Sequence, residues 1–308
     1  VFTQHLKSWL TEMTRQADDN FPENTHATIL NNSISIKKVV SKKTESNIEF
    51  LDDWLTKSLP PASIVDILTD VEKWLNLHKK FGPLSGNLSR ISNRQKRFIA
   101  TLFCYGCNLG PVQTAKSTKE FSRRQVSWLN LKHSSPDKLQ AAITEVINQY
   151  KQLDLPGYWG KGLYASADGT IFDLFEENLI SEYHIRYGGY GGIGYYHVAD
   201  SYIALFSHFI PCGAYEAIYI LDGLIKNESE IQPNTVHGDT QAQSYTVFGL
   251  SYLLGIKLMP RIRGLSDLQL FRPDKRYKYK NIDTIFKGGA IDFKLIERHF
   301  MDMMRIVI

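Results

Sequence analysis

The chain contains few cysteines for its length, only three in 308 residues. Three cysteines are too few for the disulfide framework that stabilises small secreted domains. Cys104 and Cys107 form a C-x-x-C pair, a spacing found in redox centres and in zinc sites. The two further ligands that a zinc site needs do not lie nearby, and the pair is flanked by TLF and NLG. We therefore interpret both cysteines as buried small residues.

The sequence also lacks a long hydrophobic run. No apolar stretch reaches the roughly 18–20 residues that a membrane-spanning helix needs, and the first residues do not have the layout of a signal peptide. Internal repeats and low-complexity tracts are absent as well. With 43% hydrophobic and 22% charged residues, the composition is typical of a folded soluble protein. We expect a cytoplasmic protein without a membrane partner.

The net charge is small, +4, but it is unevenly distributed. Residues 256–290 contain nine Lys and Arg against three Asp, a local excess of +6. Residues 116–133 contain five basic residues and one Glu. Two basic patches in a nearly neutral chain indicate a polyanionic partner such as nucleic acid. Ordinary solvated faces explain the charge equally well.

A glycine-rich stretch raises the question of a nucleotide cofactor, because Gly189, Gly191 and Gly194 form GxGxxG. A dinucleotide loop must follow a strand and open a helix, so that the helix N terminus faces the pyrophosphate. Here Gly194 is followed by YYHVAD, whose aromatic and β-branched residues predict a strand. We therefore predict a flexible hairpin connection and no nucleotide cofactor. An oxidoreductase stays open as a third hypothesis that rests on this motif alone.

The order of predicted elements indicates the fold class. Apolar residues recur at helical spacing in residues 62–80, a helix that Gly82–Pro83 ends, and in residues 136–151. Residues 31–46 predict a loop or weak strand. After residue 155 the predicted order is strand, strand, strand, helix, strand, helix, strand. This order predicts an α+β protein with an RNase H-like mixed sheet flanked by helices. The predicted domains are a helical region, a helical linker region and a truncated RNase H-like catalytic domain: residues 1–93, 94–155 and 156–308.

Two aspartates occupy related places in that fold. In an RNase H-like sheet the first and fourth strands are neighbours, and Asp168 lies in the first while Asp239 follows the fourth. Two ionised carboxylates that lie close together repel each other, which raises the free energy of the folded protein unless cations neutralise them. Two magnesium ions roughly 3.5–4 Å apart would do so. Considered singly, Asp168 before Gly169 is more typical of a turn, and Asp239 of a helix cap.

Several segments resemble one protein family. The segment His237–Pro273 (HGDTQAQSYTVFGLSYLLGIKLMPRIRGLSDLQLFRP) resembles the signature block of the Tn-three (Tn3) family of replicative transposases. Ala165–Thr170 (ASADGT) resembles the block around the first catalytic aspartate of that family. Three further blocks, GCNLGPVQTA, LPGYWGKG and YYHVADSY, are similar and stand in the right order. The resemblance runs from about residue 60 to the end.

The resemblance implies an activity and a site. Members of the family are DDE nucleotidyl transferases, which nick the 3′ ends of the transposon and join the freed hydroxyls to target DNA, giving a cointegrate after replication. It implies that Asp168 and Asp239 are catalytic residues that bind magnesium, and that Arg261 and Arg263 of the PRIR block bind DNA phosphates. His237 is either a support for the metal site or a structural histidine. The implied partners are terminal inverted repeats and target DNA, and we expect a homodimer in the bacterial cytoplasm.

Two departures from the family pattern lead to a second hypothesis. Ala242 replaces a glycine in the DTQGQS form of the block, which we expect to stiffen or crowd the turn beside Asp239. The third acid of the family is a glutamate on a helix beyond residue 308. Glu297, the only glutamate after Glu230, lies in an amphipathic segment, and we interpret it as a surface charge.

The family also has a long N-terminal region that recognises the repeats, and most of it is missing here. We therefore interpret the chain as an internal fragment of a transposase or the product of a decayed gene. We expect no transposition by this chain alone, because two carboxylates without a third should hold a metal pair poorly. The alternative function is a catalytically dead DNA-binding or subunit-interaction remnant.

Overall fold

The structure is a computed structural model that describes residues 1–38, 46–86, 91–185 and 188–308. It divides into two compact units. Unit 1 comprises Val1–Lys43 and Gly238–Ile308, and unit 2 comprises Thr44–His237. Part of the predicted loop or weak strand in residues 31–46 lies outside the described residues, as does Tyr187 at the start of the glycine-rich stretch. The predicted domain boundaries after residues 93 and 155 stay predictions.

The described residues form helices and strands in the following order along the chain. The helices are α1 Phe2–Asn20, α2 Ser46–Ser58, α3 Ile64–Leu75, α4 Arg94–Gly106, α5 Gly110–Thr118, α6 Arg123–His133, α7 Pro136–Lys151, α8 Pro156–Trp159, α9 Tyr219–Ile225, α10 Tyr245–Leu253 and α11 Phe293–Val307. The strands are β1 Ala27–Leu30, β2 Ser33–Ile36, β3 Tyr164–Asp173, β4 Glu182–His184, β5 Gly189–Ala199, β6 Ala204–Pro211, β7 Thr235–Gly238 and β8 Lys257–Pro260.

The helical part of unit 2 packs around an apolar core. The core lies between α3, α4, α6 and α7 and consists of Leu77, Phe81, Phe98, Leu129 and Ala142. Helix α7 has the predicted bounds, because the Ser135 side chain caps its first turn and Pro136 occupies the first helical position. Helix α3 is shorter than predicted. It ends at Leu75, since Asn76 adopts a left-handed conformation with φ of 51°.

The sheet of unit 2 is built around β5. Strand β5 pairs antiparallel with β3, β4 and β6, and β7 is the neighbour of β3 on its other side. The adjacency of the first and fourth predicted strands, β3 and β7, is therefore confirmed. The mixed α/β architecture agrees with the predicted fold class.

The predicted glycine-rich hairpin is wrong, because the glycines lie inside strand β5. Aromatic side chains from the flanking strands lie over them. A β-carbon on Gly192 would lie 2.5 Å from Cζ of Phe209 on β6, and one on Gly194 would lie 2.6 Å from Cε2 of Phe172 on β3. Glycine is required here by close cross-strand packing, which is the recognised role of glycine in a strand interior.

A buried carboxylate near the end of α1 joins this helix to residues 280–282 within unit 1. Asp18 accepts hydrogen bonds from the backbone N–H groups of Lys280, Asn281 and Ile282, at 2.8, 2.6 and 3.0 Å. Burial alone would raise the pKa of Asp18, but these three donors together lower it. The carboxylate thereby fixes a basic segment against the core formed by Tyr279, Ile282 and Ile285.

We expect Asp18→Asn to lower the free energy of unfolding at pH 7 by about 2–3 kcal/mol, because a neutral amide cannot accept three N–H bonds as a carboxylate does. The folded pKa of Asp18 lies below that of an unfolded aspartate. Its stabilising contribution is therefore present above about pH 4 and is lost as the pH falls through the folded pKa. The variant should accordingly show a weaker loss of stability on acidification.

Urea unfolding followed by circular dichroism at pH 7 and pH 3.5 measures both effects. The control is Asp19→Asn, which changes the adjacent exposed aspartate that pairs with Arg15 at 3.2 Å. Its effect should stay within about 0.5 kcal/mol. Equal effects of the two substitutions would contradict the role assigned to Asp18.

Candidate active site

Asp168 lies within β3 in unit 2, with its side chain on the exposed face of the strand. The alternate residues Ala165 and Ala167 are buried, so the pleat directs Asp168 away from the core. Asp168 pairs with Tyr196 of β5, and its Oδ1 accepts a hydrogen bond from Gly169 N at 2.8 Å. The interpretation of Asp168–Gly169 as a turn is wrong, since both residues belong to the strand.

Asp239 directly follows β7, and its side chain is exposed. Its Oδ1 accepts a hydrogen bond from Gln241 N at 2.9 Å and so caps a 3₁₀ turn, Thr240–Ala242. The capping role predicted as the simple alternative is therefore present. Ala242 ends this turn fully buried and without a positive φ, so its methyl group is accommodated without left-handed strain.

His237 of β7 lies on the same face of the sheet as Asp168 of β3. The ring of His237 lies 6.1 Å from the ring of Tyr164, the first residue of β3. Tyr164 and Asp168 lie four residues apart on one strand and therefore on the same face. His237 is exposed on that face and contacts an aromatic ring. Its predicted support for a metal site stays a prediction.

The residues after β8 place two arginines near the Asp239 turn in unit 1. Arg261 N donates a hydrogen bond to Gly238 O at 2.9 Å. Arg263 N donates to Oε1 of Gln243 at 2.7 Å, and the Gln243 amide donates back to Arg263 O at 3.2 Å. Among the described residues, neither guanidinium group has a hydrogen-bond or ion-pair partner, and both arginines are exposed. Both are thus available to bind an anion.

Gln243 makes a contact in the candidate site that sequence analysis missed. Its side chain pairs with both backbone groups of Arg263, twenty residues further on, in the manner of a strand neighbour. The only sequence signal was its place in the DTQAQS block. The Gln243 side chain thereby holds the backbone of the PRIR segment at Arg263.

The remaining candidates are the two cysteines of the C-x-x-C pair and Glu297. Cys104 is buried in α4 and Cys107 is half-buried directly after it, both as free thiols. Glu297 is exposed on α11, whose Phe293, Ile296 and Phe300 are half-buried, in agreement with the prediction of a surface charge.

The donor chemistry of the two aspartates fits a hard divalent cation. Each carboxylate is exposed and uses one oxygen for a neighbouring backbone N–H, which leaves the other oxygen available. Oxygen ligands of this kind suit magnesium or manganese rather than zinc. Within the described ranges, no cluster of three or more His, Cys, Asp or Glu side chains has an arrangement suited to a metal ion.

Comparison with known proteins identifies the family. Residues 66–308 match the family described as "Tn3 transposase DDE domain". This match covers most of the chain, and the chain belongs to that family. The predicted resemblance is confirmed. A DDE domain implies a general dependence on a divalent metal ion.

Individual relatives support the same assignment. The chain is 30% identical over 253 residues to the transposase for transposon Tn1546 of Enterococcus faecium, which covers 82% of this chain and 26% of the relative. It is 26% identical over 306 residues to the transposase for transposon Tn501 of Pseudomonas aeruginosa, covering 98% and 30%. It is also 26% identical over 309 residues to the transposase for transposon gamma-delta of Escherichia coli (strain K12), covering 98% and 31%.

The chain spans between about a quarter and a third of the length of these curated relatives. Across the part of the chain that the structure describes, no helix has the length and apolar character needed to cross a membrane.

Proposed function

We propose that the chain supplies part of the catalytic domain of a DNA transposase, with Asp168 and Asp239 as two carboxylates that hold a divalent cation. The observation that carries the proposal is the placement of these acids in a chain of this family. Asp168 lies on β3, Asp239 follows β7, and the two strands are neighbours in the sheet. Neither carboxylate is committed to an ion pair among the described residues.

The proposed reaction is cleavage at the 3′ ends of a transposon, followed by transfer of the freed 3′-hydroxyl to target DNA. In cleavage, water supplies the oxygen that bonds to phosphorus, and the 3′ oxygen leaves with a proton. In strand transfer, the transposon 3′ oxygen bonds to the phosphorus of a target phosphodiester, and the 3′ oxygen of the target strand leaves with the proton that the attacking hydroxyl gives up. A bound divalent cation supplies Lewis-acid stabilisation to such displacements. The part of Asp168 and Asp239 is to bind and orient the cation.

Arg261 and Arg263 are proposed to hold DNA phosphates beside Asp239. Guanidinium groups bind phosphate through paired, charge-assisted hydrogen bonds. The backbone contacts of Arg261 to Gly238 and of Arg263 to Gln243 fix the main chain from which both side chains project. Such contacts position DNA without reading its sequence.

The same proposal includes the identity of the cation, the DNA substrates, the oligomeric state and the cellular location. Magnesium is the proposed cation, because the carboxylate oxygens are hard ligands. The family resemblance supports terminal inverted repeats and target DNA as substrates, a homodimeric enzyme and a bacterial cytoplasmic location.

A second candidate is a catalytically dead DNA-binding or subunit-interaction remnant. It is favoured by the lack of a third acid in a metal-binding cluster among the described residues, and by the exposed basic side chains of Lys275, Arg276, Lys278 and Lys280. Salt-sensitive DNA binding that Asp168→Ala and Asp239→Ala leave unchanged, without nuclease activity, would favour this alternative.

We expect Arg261→Gln and Arg263→Gln each to weaken binding of duplex DNA and to lower its salt dependence. Each lost phosphate contact should reduce the slope of log K against log salt by about 0.9. Fluorescence anisotropy of a labelled duplex at several salt concentrations measures the slope. The control is Arg298→Gln, which removes the same charge from the exposed surface of α11. Identical slopes for all three variants and the unsubstituted chain would contradict the proposed phosphate contacts.

A further inference from the structure

A polar pocket lies beside Asp239 in unit 1. Its volume is about 510 Å³, within the roughly 300–1,000 Å³ of typical small-molecule sites. It opens to solvent, and most of its exposed lining is polar. The lining residues that matter here are Thr240, Gln243, Tyr245, Arg263, Gly264 and Asp267. We call it the Tyr245 pocket.

The two walls of the Tyr245 pocket are fixed by the local fold. One wall lies within residues 240–245, between Asp239 and the start of α10, and the other within residues 263–268. The Gln243 amide joins the walls through its two hydrogen bonds to the Arg263 backbone. Gly264 then turns the chain with a φ of +63°, which favours glycine, and a 3₁₀ turn at Leu265–Asp267 brings Asp267 to the pocket.

Three side chains give the pocket its chemistry. The Tyr245 ring is 74% exposed and offers an aromatic face for stacking. The guanidinium of Arg263 has no partner among the described residues, and Asp267 presents a carboxylate that accepts a hydrogen bond from its neighbour Ser266 at 3.3 Å. An aromatic face stacks on a nucleobase, a guanidinium pairs with a phosphate, and a carboxylate accepts hydrogen bonds from an exocyclic amino group.

We propose that the Tyr245 pocket binds one unpaired nucleotide of a DNA strand. The base stacks on Tyr245, and the adjoining phosphate pairs with Arg263. Asp267 accepts from the base edge, which favours bases with an exocyclic amino group over thymine. The inference rests on the proposed function, since it names the strand segment held next to Asp239.

The test uses the whole 308-residue chain and a short duplex with a single-stranded 3′ overhang that carries 2-aminopurine. A matched blunt duplex carries 2-aminopurine in a paired position. We expect fluorescence quenching when the overhang binds. Tyr245→Leu should abolish this quenching and weaken overhang binding about tenfold, while binding of the blunt duplex stays unchanged. Tyr245→Phe should retain quenching, because the ring face is kept.

Two further variants test whether the effect is specific to Tyr245 and whether Asp267 sets the base preference. Tyr158→Leu alters another strongly exposed tyrosine, in unit 2, and should leave overhang binding unchanged. Asp267→Asn should reduce the preference for cytosine over thymine at the overhang position, because one carboxylate oxygen is replaced by an amide NH2 group that can donate to thymine O4. Free deoxynucleoside monophosphate serves as the second probe, and it should compete with the overhang only weakly.

The outcomes separate the pocket from the proposed function. Duplex and overhang binding that is indifferent to Tyr245→Leu would overturn the pocket and leave the proposed function intact. Tight binding of the free nucleotide, equal to that of the overhang, would overturn the assignment to a DNA strand. Failure of the unsubstituted chain to bind either DNA would overturn both proposals.

Discussion

Asparagine in place of Asp168 or Asp239 is expected to weaken binding of a divalent cation strongly while leaving the fold intact. Each substitution removes a negative charge and an oxygen ligand. Substituting a residue that hydrogen-bonds to a metal ligand typically lowers metal affinity by roughly 10- to 100-fold, so the loss of the ligand itself should lower it at least as much. The fold should survive, because an asparagine Oδ1 can still accept from Gly169 N or cap the turn at Gln241 N.

Manganese titration followed by electron paramagnetic resonance measures this effect on the purified chain. The matched control is Asp173→Asn, since Asp173 is an exposed aspartate on the same strand, five residues further and therefore on the opposite face. The control should bind manganese like the unsubstituted chain. If all three variants retain the same affinity, the acids do not hold the cation.

The second large effect concerns stability rather than chemistry. Gly223→Ala in α9 is expected to lower the free energy of unfolding by about 3 kcal/mol, because overpacking a filled core forces its neighbours out of place. The added methyl carbon would lie 2.6 Å from Nδ1 of His197. That ring is fully buried and its Nε2 lies 2.9 Å from Ile220 O, so it has little freedom to move. Burial also lowers the pKa of His197, which favours the neutral ring.

Urea unfolding followed by circular dichroism measures this cost. The control is Gly106→Ala at the end of α4, also in unit 2, where no heavy atom lies within 4 Å of the added methyl group. An alanine there should change stability by no more than about 1 kcal/mol, and in the stabilising direction. A Gly223→Ala variant as stable as the unsubstituted chain would show that the His197 packing is wrong.

The features that could be predicted from sequence are those with strong local signals. The regular apolar spacing of residues 136–151 predicts helix α7 with its observed bounds, and the Ser135 cap and Pro136 explain why the helix begins there. Helix α3 was predicted too long, because the prediction took Gly82–Pro83 as the stop and overlooked that Asn76 adopts a left-handed conformation. The sequence order of elements also predicted the adjacency of β3 and β7.

The features that were missed depend on partners distant in sequence. The glycines of β5 were read as a hairpin, because the rings of Phe172 and Phe209 that require them lie on other strands. The pairing of Gln243 with the Arg263 backbone spans twenty residues and leaves no local pattern. The strand order proposed a shared metal site for Asp168 and Asp239, and the family resemblance supplied their proposed catalytic roles, since each residue alone is typical of a turn or a cap.

Affinity cleavage with ferrous iron would test most directly whether Asp168 and Asp239 hold one cation. Iron bound in place of magnesium, with ascorbate and peroxide, generates radicals that cut the backbone close to the ion, and mass spectrometry locates the cuts. We predict cuts around both residue 168 and residue 239, which excess magnesium suppresses and Asp239→Asn abolishes. Cuts beside only one of the two aspartates, or cuts that Asp239→Asn does not change, would contradict a shared cation.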